Sequence, residues 1–303
     1  MAEEARSSAD AVEDRFVAGM LGLALGDALG ARHEGGPLGQ AAWWLLGLGK
    51  GDLLRWSDDT EMALGLAASL VEKGGVDADH LARTWADGMS ATRGYGSGAR
   101  RLLTMIRAGA DWRDANCAIF PDGSFGNGAA MRAAPLGLFY HREPAELERA
   151  ARRAAEITHA HPLGIEGGIL IARATAMALS GDLDLGALGD GCREDEFRDR
   201  LKTAVQDLDR DAVVRRLGNG IEAHRSAVTA VHCARRFREF LPMMEFIISL
   251  GGDTDTIGAM AGGIFGARHG TAALPEEPLA RLEERGLIEK RARALWATCR
   301  TRS

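Results

Sequence analysis

The chain has 303 residues, a formal net charge of −6, 46% hydrophobic residues and 26% charged residues, which is ordinary for a soluble globular protein. The negative charge argues against a nucleic-acid backbone or a membrane surface as the main partner. No run of about 18 apolar residues indicates a membrane helix, and the acidic N-terminus does not resemble a secretory leader. The four widely spaced cysteines favour reduced thiols in a cytoplasmic protein.

Apolar residues recur at helical spacing along most of the chain, and no run of alternating β-branched residues indicates a strand. The predicted helices cover residues 13–30, 60–73, 78–91, 97–109, 144–158, 164–180, 195–206, 208–216, 220–231, 237–249, 256–269 and 276–299. Glycine, proline, aspartate and asparagine indicate breaks at residues 31–40, 121–128, 181–192 and 270–278. We therefore predict an all-α fold, with one compact multi-helix domain over residues 13–300 and a flexible N-terminus over residues 1–12.

Two of the predicted helices carry glycine at every fourth position. The first has Gly22, Gly26 and Gly30, and the helix near the C-terminus has Gly258, Gly262, Gly266 and the following Gly270. Residues four apart share a helix face, so each set forms a smooth strip that lets another backbone approach closely. Glycine in a helix costs about 1 kcal/mol relative to alanine, so we expect the strips to serve close packing of central helices.

Glu34 lies just past the first glycine strip, in a segment rich in glycine and proline. One interpretation is a solvated loop glutamate. The other is a mobile carboxylate that closes over a site and acts as a base or a metal ligand.

Two acidic segments, WSDDTEM (56–62) and GGDTDT (251–256), each stand at the start of a predicted helix. In the first, Ser57 suits a helix N-cap, and the two aspartates that follow lie in the first turn, where the helix dipole favours negative charge. In the second, Asp253 and Asp255 precede the helix in the same way, and Thr254 serves as a spacer. Each segment alone is typical of an acidic helix cap.

Considered together, the two acidic segments indicate a shared metal site. Two like charges about 4 Å apart repel by about 4 kcal/mol at an effective dielectric of about 20. If the fold joins the two helix starts, four carboxylates meet, and two divalent cations would balance them. The hydroxyls of Ser57 and Thr256 would add ligands. An oxygen-only set favours Mg²⁺, Mn²⁺ or Ca²⁺ over Zn²⁺.

Two further segments could complete a binding pocket. The segment DGSFGNGAAMR (122–132) is a glycine-rich loop before a helix, which could direct backbone N–H groups at phosphate oxygens. Phe125 could stack on a ribose or a base, although a plain turn would also explain the loop. The segment THAHPLG (158–164) offers His159 and His161, either as structural side chains or as ligand contacts.

Five stretches, in this order, resemble the ADP-ribosylglycohydrolase family, which includes the dinitrogenase reductase-activating glycohydrolases. They are GMLGLALGDALGARHE (19–34), WSDDTEMALG (56–65), GSFGNGAAMR (123–132), THAHPLGIEGG (158–168) and SLGGDTDTIGAMAGGIFGARHG (249–270). The Ser-Asp-Asp-Thr and Gly-Gly-Asp-Thr-Asp-Thr motifs are highly specific in combination. The resemblance implies an all-α fold with two Mg²⁺ ions, for which Mn²⁺ could substitute, at the bottom of a cleft.

The resemblance also implies roles for single residues. The implied metal ligands are Ser57, Asp58, Asp59, Asp253, Asp255 and Thr256, with Asp255 as a bridge. The implied contacts to the pyrophosphate and distal ribose are Gly123, Ser124, Phe125, Gly126, Asn127 and His159. The implied catalytic set is Glu34, Asp58, Asp59 and Asp255. Ser57 replaces a threonine found in many relatives, and Phe125 stands where close relatives often carry another aromatic residue.

The reaction implied by this resemblance is hydrolysis at C1″ of ADP-ribose, which removes ADP-ribose from modified proteins. The GSFGN and ISLGGDTDTIGAMAG stretches resemble the branch that acts on serine-linked, poly- or O-acetyl-ADP-ribose, and we favour these substrates. The SDDTEM and GAAMRAAPLGL stretches resemble arginine-linked hydrolases. The alternatives are a non-catalytic ADP-ribose-binding protein on the same scaffold and a helical interaction protein with acidic caps. We expect a monomer.

Overall fold

A computed structural model describes residues 2–33 and 53–302, with side chains from Ala9 onward. Within these residues the chain forms 17 α-helices and no β-strand, which confirms the predicted all-α fold. The helices are α1 (Ala2–Gly30), α2 (Asp58–Lys73), α3 (Ala78–Gly88), α4 (Ser97–Arg107), α5 (Trp112–Ile119), α6 (Gly128–Met131), α7 (Ala134–Phe139), α8 (Pro144–Glu156), α9 (Pro162–Leu179), α10 (Leu185–Asp190), α11 (Asp195–Ala204), α12 (Arg210–Arg216), α13 (Ala223–Arg236), α14 (Phe240–Leu250), α15 (Thr254–His269), α16 (Glu276–Ala280) and α17 (Arg285–Arg300).

The structure differs from the predicted helices in an earlier start, in added short helices and in one break. Helix α1 begins at Ala2, well before residue 13, and short helices that were not predicted occupy 112–119, 128–139 and 185–190. The single helix predicted over 276–299 is wrong, because the chain leaves helical geometry between α16 and α17. There Leu54 N–H donates to the Arg281 carbonyl at 2.7 Å, and Glu283 N–H donates to the Leu54 carbonyl at 3.0 Å. These bonds replace helical ones.

Helices α1 and α15 cross in direct backbone contact through their glycine strips. A Cβ atom at Gly22 would overlap the carbonyl oxygen of Gly262, and one at Gly26 would overlap that of Gly258. The pairs run in opposite order along the two helices, so the helices are antiparallel. The packing role predicted for the glycine strips is confirmed, and it extends to Gly30, which meets the backbone of Thr254.

Helix α15 forms the centre of the molecule, because every residue from Thr254 to Ala267 is buried. Helices α9, α13 and α14 surround it together with α1. On the other side of α1, Phe16 packs against Trp296 of α17, with ring centroids 5.0 Å apart. This arrangement places the end of α1 beside the starts of α2 and α15.

The apolar helix α9 and the cysteines were also compared with the expectations from the sequence. Helix α9 is long and apolar enough to cross a membrane by length and composition, but 72% of this span is buried inside the protein, as in a core helix. All four cysteines, which lie in the described part of the chain, are free thiols.

Candidate active site

The starts of α2 and α15 open on one cavity of about 400 Å³. The predicted site residues that line it are Ser57, Asp58, Asp59, Ser124, Gly126, Asn127, His159, Asp253, Asp255 and Thr256. Gly123 and Phe125 are not part of the lining, and Glu34 lies outside the described residues. A second cavity of about 710 Å³, between α1 and the C-terminal segment, contains none of the predicted residues.

Ser57 and Asp59 form a closed pair at the start of α2. The Ser57 hydroxyl accepts a hydrogen bond from the Asp59 backbone N–H at 3.2 Å and donates one to Asp59 Oδ2 at 2.9 Å. Asp59 Oδ1 is buried and has no hydrogen-bond partner among the described residues. Burial, and then the charges of Asp27, Asp58 and Asp253, raise the pKa of Asp59 well above its ordinary value. The two acidic motifs are therefore close enough to repel each other.

Asp27 holds the Ser57–Asp59 turn in place through hydrogen bonds. It was not predicted from the sequence as a site residue. The carboxylate lies within α1, is completely buried, and accepts bonds from Ser57 N–H at 3.0 Å and from Thr60 N–H at 3.1 Å. The Thr60 hydroxyl also donates to it, at 2.5 Å. Burial raises its pKa to about 6. The only sequence signal is an acidic residue inside the otherwise apolar stretch LGLALGDALG.

Asn127 holds Asp253, the first acidic residue of the second motif. Its side-chain Nδ2 donates to Asp253 Oδ2 at 2.5 Å and to the Ser226 hydroxyl at 2.9 Å. The Asp253 backbone N–H donates to the Asn219 carbonyl at 2.9 Å. Gly252 makes this turn possible, because its φ of 76° is unfavourable for other residues. The substrate contact expected of Asn127 stays a prediction, since its amide group already orients an acidic side chain.

Of the next three residues, Thr254 anchors helix α15, and Asp255 and Thr256 line the cavity. Thr254 was expected to be a spacer, but its buried hydroxyl donates to the Gly30 carbonyl at 3.0 Å and ties α15 to the end of α1. Asp255 and Thr256, each 5% exposed, line the cavity. The Thr256 backbone N–H donates to Asp255 Oδ1 at 2.8 Å, which fixes the direction of that carboxylate.

The glycine-rich loop before α6 forms another wall of the cavity. Gly123 has a φ of 78°, and a Cβ atom there would overlap the backbone of His161. The loop is tied on its other side by Asn127 N–H, which donates to the Ile221 carbonyl at 2.9 Å. Phe125 is 49% exposed and packs edge-on against the His161 ring, with centroids 5.7 Å apart.

His159 lies in the cavity wall as a buried, uncharged ring. Burial, and then the positive charge of Arg132, lower its pKa to about 3, so the imidazole is neutral at pH 7. Its Nδ1 lies 2.7 Å from the Thr158 hydroxyl, which accepts a hydrogen bond from Arg132 at 2.6 Å. Arg132 and Thr158 were not predicted as site residues.

The loop from Met89 to Gly96 closes the cavity beside α2, and Glu61 holds it. The Glu61 carboxylate accepts from Ser90 N–H at 3.0 Å and from the Tyr95 hydroxyl at 2.7 Å. The Arg93 carbonyl accepts from Asp58 N–H at 2.8 Å, which joins the loop directly to the first acidic motif. Glu61 therefore positions this wall without lining the cavity.

The residues of the cavity fit an oxygen-preferring cation. Within residues 2–33 and 53–302, no three carboxylate, imidazole or thiol side chains lie close enough to form a preformed metal cluster. However, Asp59 Oδ1 has no hydrogen-bond partner among the described residues, and burial with the nearby charges of Asp27, Asp58 and Asp253 raises the pKa of this carboxyl group. A cation beside Asp59 would favour its ionised form. Hydroxyls and carboxylates are the donors that Mg²⁺ prefers. The two-ion centre stays a prediction.

The fold and the site together define an all-helical domain whose candidate active site is an acid-lined cavity at helix ends. The family model of ADP-ribosylglycohydrolase matches residues 8–303. A solved structure described as an ADP-ribosylglycohydrolase-related protein complex is similar with a TM-score of 0.74 and 29% identity, covering 96% of this chain and 99% of the other.

Curated relatives support the same assignment. Human ADP-ribosylhydrolase ARH3 is 34% identical over 268 residues, which cover 74% of each chain. The ADP-ribosyl-[dinitrogen reductase] glycohydrolase of Rhodospirillum rubrum is 30% identical, covering 90% of this chain and 91% of the relative. The chain therefore belongs to the ADP-ribosylglycohydrolase family, which confirms the resemblance found in the sequence.

Proposed function

We propose that the chain is a Mg²⁺-dependent hydrolase that cleaves the glycosidic bond at C1″ of ADP-ribose and so releases ADP-ribose from modified proteins. The observation that carries the proposal is the convergence of the two acidic motifs on one cavity, with Asp59 Oδ1 left unpartnered. Family membership supports the class of reaction. We favour serine-linked and other O-linked substrates over arginine-linked ones, following the motifs at 123–127 and 248–262.

The cation ligands would come from the two motifs. They are Ser57, Asp58, Asp59, Asp253, Asp255 and Thr256. When bound, Mg²⁺ would polarise substrate oxygens and lower the pKa of a coordinated water. The chain prepares these ligands in advance, because Asp27 fixes the turn that carries Ser57 and Asp59, and Asn127 fixes Asp253. Such outer partners orient ligands before a cation arrives.

The glycine-rich loop and His159 would hold the phosphates and the adjoining ribose. Among the described residues, the backbone N–H groups of Gly123 and Asn127 donate to carbonyls of the protein. The Gly126 N–H donates to the Ser124 hydroxyl at 3.3 Å. The phosphate contact expected of the loop therefore falls to the backbone of Ser124 and Phe125, which lies between Gly123 and Gly126. The exposed ring of Phe125 is available to stack on a ribose or base at the mouth.

A carboxylate must manage the proton of the attacking water. We assign this task to Glu34 or to Asp255. Glu34 follows the helix whose end meets α15, although it lies outside the described residues. Asp255 is fixed by the Thr256 backbone N–H and lines the cavity.

The decisive experiment is a linkage panel with mass-spectrometric detection of free ADP-ribose. Peptides carrying serine-linked or arginine-linked ADP-ribose, and O-acetyl-ADP-ribose, are incubated with the protein in Mg²⁺ or in EDTA. We expect Mg²⁺-dependent release from the O-linked substrates. Asp255→Ala should abolish release. Asp184→Ala, which removes a helix-start aspartate away from the cavity, should retain it.

The outcomes separate the alternatives. Release from arginine alone would transfer the proposal to N-glycosidic substrates. ADP-ribose binding without release from any linkage would indicate a non-catalytic binding protein. Full activity in EDTA, or in Asp255→Ala, would contradict the metal centre.

A further inference from the structure

Arg132 is a buried cation on the cavity wall, and its one strong hydrogen bond goes to a hydroxyl group. It is 3% exposed, and its guanidinium lies 4.0 Å from the centroid of the Trp85 ring. Its described hydrogen-bond partners are the Met62 sulfur at 3.6 Å and the Thr158 hydroxyl at 2.6 Å. The bond to Thr158 is therefore the strong one, and it connects the cation to the residue just before His159.

Elementary chemistry decides which groups donate and which accept in the hydrogen bonds that link Arg132, Thr158 and His159. A guanidinium can only donate, so the Thr158 oxygen accepts from Arg132. The only other described neighbour of that hydroxyl is His159 Nδ1, at 2.7 Å. If Nδ1 carried a hydrogen and donated it to Thr158, the hydroxyl hydrogen would be buried without an acceptor, at a cost of about 1–3 kcal/mol. The favoured arrangement has Thr158 donating to a bare Nδ1.

We infer that Arg132 and Thr158 lock His159 as the neutral tautomer that carries its hydrogen on Nε2, so that the ring meets a ligand as a hydrogen-bond donor. Arg132 and Thr158 are positioning residues, because they act through His159. Only the identity of the ligand rests on the proposed function. The tautomer follows from the contacts within the protein.

The surroundings of Nε2 leave room for the atom that would accept this hydrogen. A Cβ atom at Gly128 would lie 3.3 Å from Nε2, and one at Gly126 would lie 3.8 Å from it. Glycine at these positions therefore keeps side chains away from the donor. A hydroxyl or phosphate oxygen of the ligand would be accepted there, whereas a group that can only donate, such as an ammonium, would be disfavoured.

The tautomer can be measured directly by NMR on protein labelled with ¹⁵N in the histidine rings, without ligand, at pH 7. The His159 signals are assigned by their loss in His159→Gln. We expect a wild-type spectrum with Nε2 protonated and Nδ1 bare. Thr158→Val should give a mixture of tautomers, and Thr158→Ser, which keeps the hydroxyl, should restore the wild-type pattern. The matched control is Thr175→Val, which removes a buried hydroxyl bonded only within helix α9.

Two results would overturn the inference. One is a wild-type His159 that is charged or protonated on Nδ1. The other is a folded Thr158→Val protein whose His159 signals match those of the wild type. If Thr158→Val does not fold, Arg132→Met tests the same hydrogen-bond network, because it removes the donor to Thr158. It should also yield mixed tautomers.

Calorimetry with ADP-ribose tests the consequence for the ligand. We expect Thr158→Val to bind more weakly by the inverse of the fraction of His159 that still carries its hydrogen on Nε2, about twofold for an even mixture, with Thr158→Ser and Thr175→Val close to wild type. Equal affinity in Thr158→Val and wild type would overturn the donor role. A wild-type protein that binds no ADP-ribose would contradict the proposed function instead, and the NMR result would still decide the tautomer.

Discussion

Asp27 shows how a residue outside the cavity lining can determine the geometry within it. Its carboxylate accepts from the backbone of Ser57 and Thr60, so the first turn of α2 cannot rotate without breaking buried hydrogen bonds. The negative charge of Asp27 also contributes to the raised pKa of Asp59. Asp27 therefore both orients the first acidic motif and adds to its need for a cation.

Asp27→Asn should lower kcat/KM about 10- to 100-fold, as is usual when a partner that orients metal ligands is changed. The amide keeps the shape but turns an NH₂ group toward backbone N–H donors. The measurement is steady-state release of ADP-ribose. Asp14→Asn is the matched control, because Asp14 also lies on α1 and accepts from a backbone N–H, that of Thr271, away from the cavity. Equal activity of the two variants would contradict the role of Asp27.

The predictability of single residues depended on where they stood in the sequence. Ser57 and Asp59 could be predicted because polar residues at a helix start form a local pattern. Asp27 and Arg132 could not, since their partners Ser57 and Thr158 lie 30 and 26 residues away, and nothing local in the sequence reveals such pairs. Thr254 was misjudged for the same reason, as its hydroxyl bonds to Gly30.

At the scale of helices, the antiparallel glycine contact between α1 and α15 decides how far apart the site elements lie. Gly26→Ala should destabilise the protein by about 3 kcal/mol, because the new methyl group meets the Gly258 carbonyl and the helices must separate. Urea denaturation measures the effect. Gly88→Ala is the control, since a Cβ atom there meets nothing within 4 Å, and it should be neutral or slightly stabilising. A similar loss in both variants would refute the packing argument.

The loop that Glu61 holds gives a second prediction at this scale. Tyr95→Phe removes the 2.7 Å hydrogen bond to Glu61 and loosens a wall of the cavity. We expect KM for the ADP-ribosylated substrate to rise about two- to tenfold, in line with the loss of one hydrogen bond, while kcat changes little. Tyr140→Phe removes a hydroxyl that accepts from Val76 N–H, outside the cavity lining, and should leave both constants unchanged. A fall in kcat alone would argue against the positioning role.

Helices were predicted best where the apolar pattern was long. Helix α2 was expected to end at Lys73 and does so, because Gly74 follows with a positive φ. Helix α5 was missed, since its eight residues supply few repeats of an apolar pattern. The break between α16 and α17 could not be found locally, because it is made by bonds to Leu54, more than 200 residues earlier.

For the whole molecule, the acid-lined cavity predicts that Mg²⁺ stabilises the fold and that this effect depends on pH. The folded, metal-free protein has raised pKa values at Asp59 and at Asp27, the latter about 6 against 3.8. Between those pH values the folded state binds more protons than the unfolded state, so these groups lower stability as pH rises. A cation relieves this cost most where the acids are ionised.

We therefore expect Tm to be higher in about 10 mM MgCl₂ than in EDTA, and we expect this difference in Tm to be larger at pH 8 than at pH 5. Histidines whose pKa is lowered by burial, such as His159, change stability equally with and without Mg²⁺, so the difference isolates the cavity. Asp59→Asn, which removes one negative charge, should reduce the Mg²⁺ effect. A Tm that Mg²⁺ leaves unchanged at pH 8 would contradict the cation site.

The contact between α1 and α15 also has a consequence for the synthesis of the protein. Gly30 and Thr254 are separated by 224 residues, yet their hydrogen bond ties the end of α1 to the start of α15 beside the cavity. During translation, α1 must wait for nearly the whole chain to leave the ribosome before its glycine strip finds a partner. Contacts so distant in sequence form late and slowly. We therefore expect the nascent chain to stay inactive until the segment that carries α15, in the last sixth of the sequence, has emerged. Until then the apolar surface of α1 is uncovered, and a chaperone would protect it.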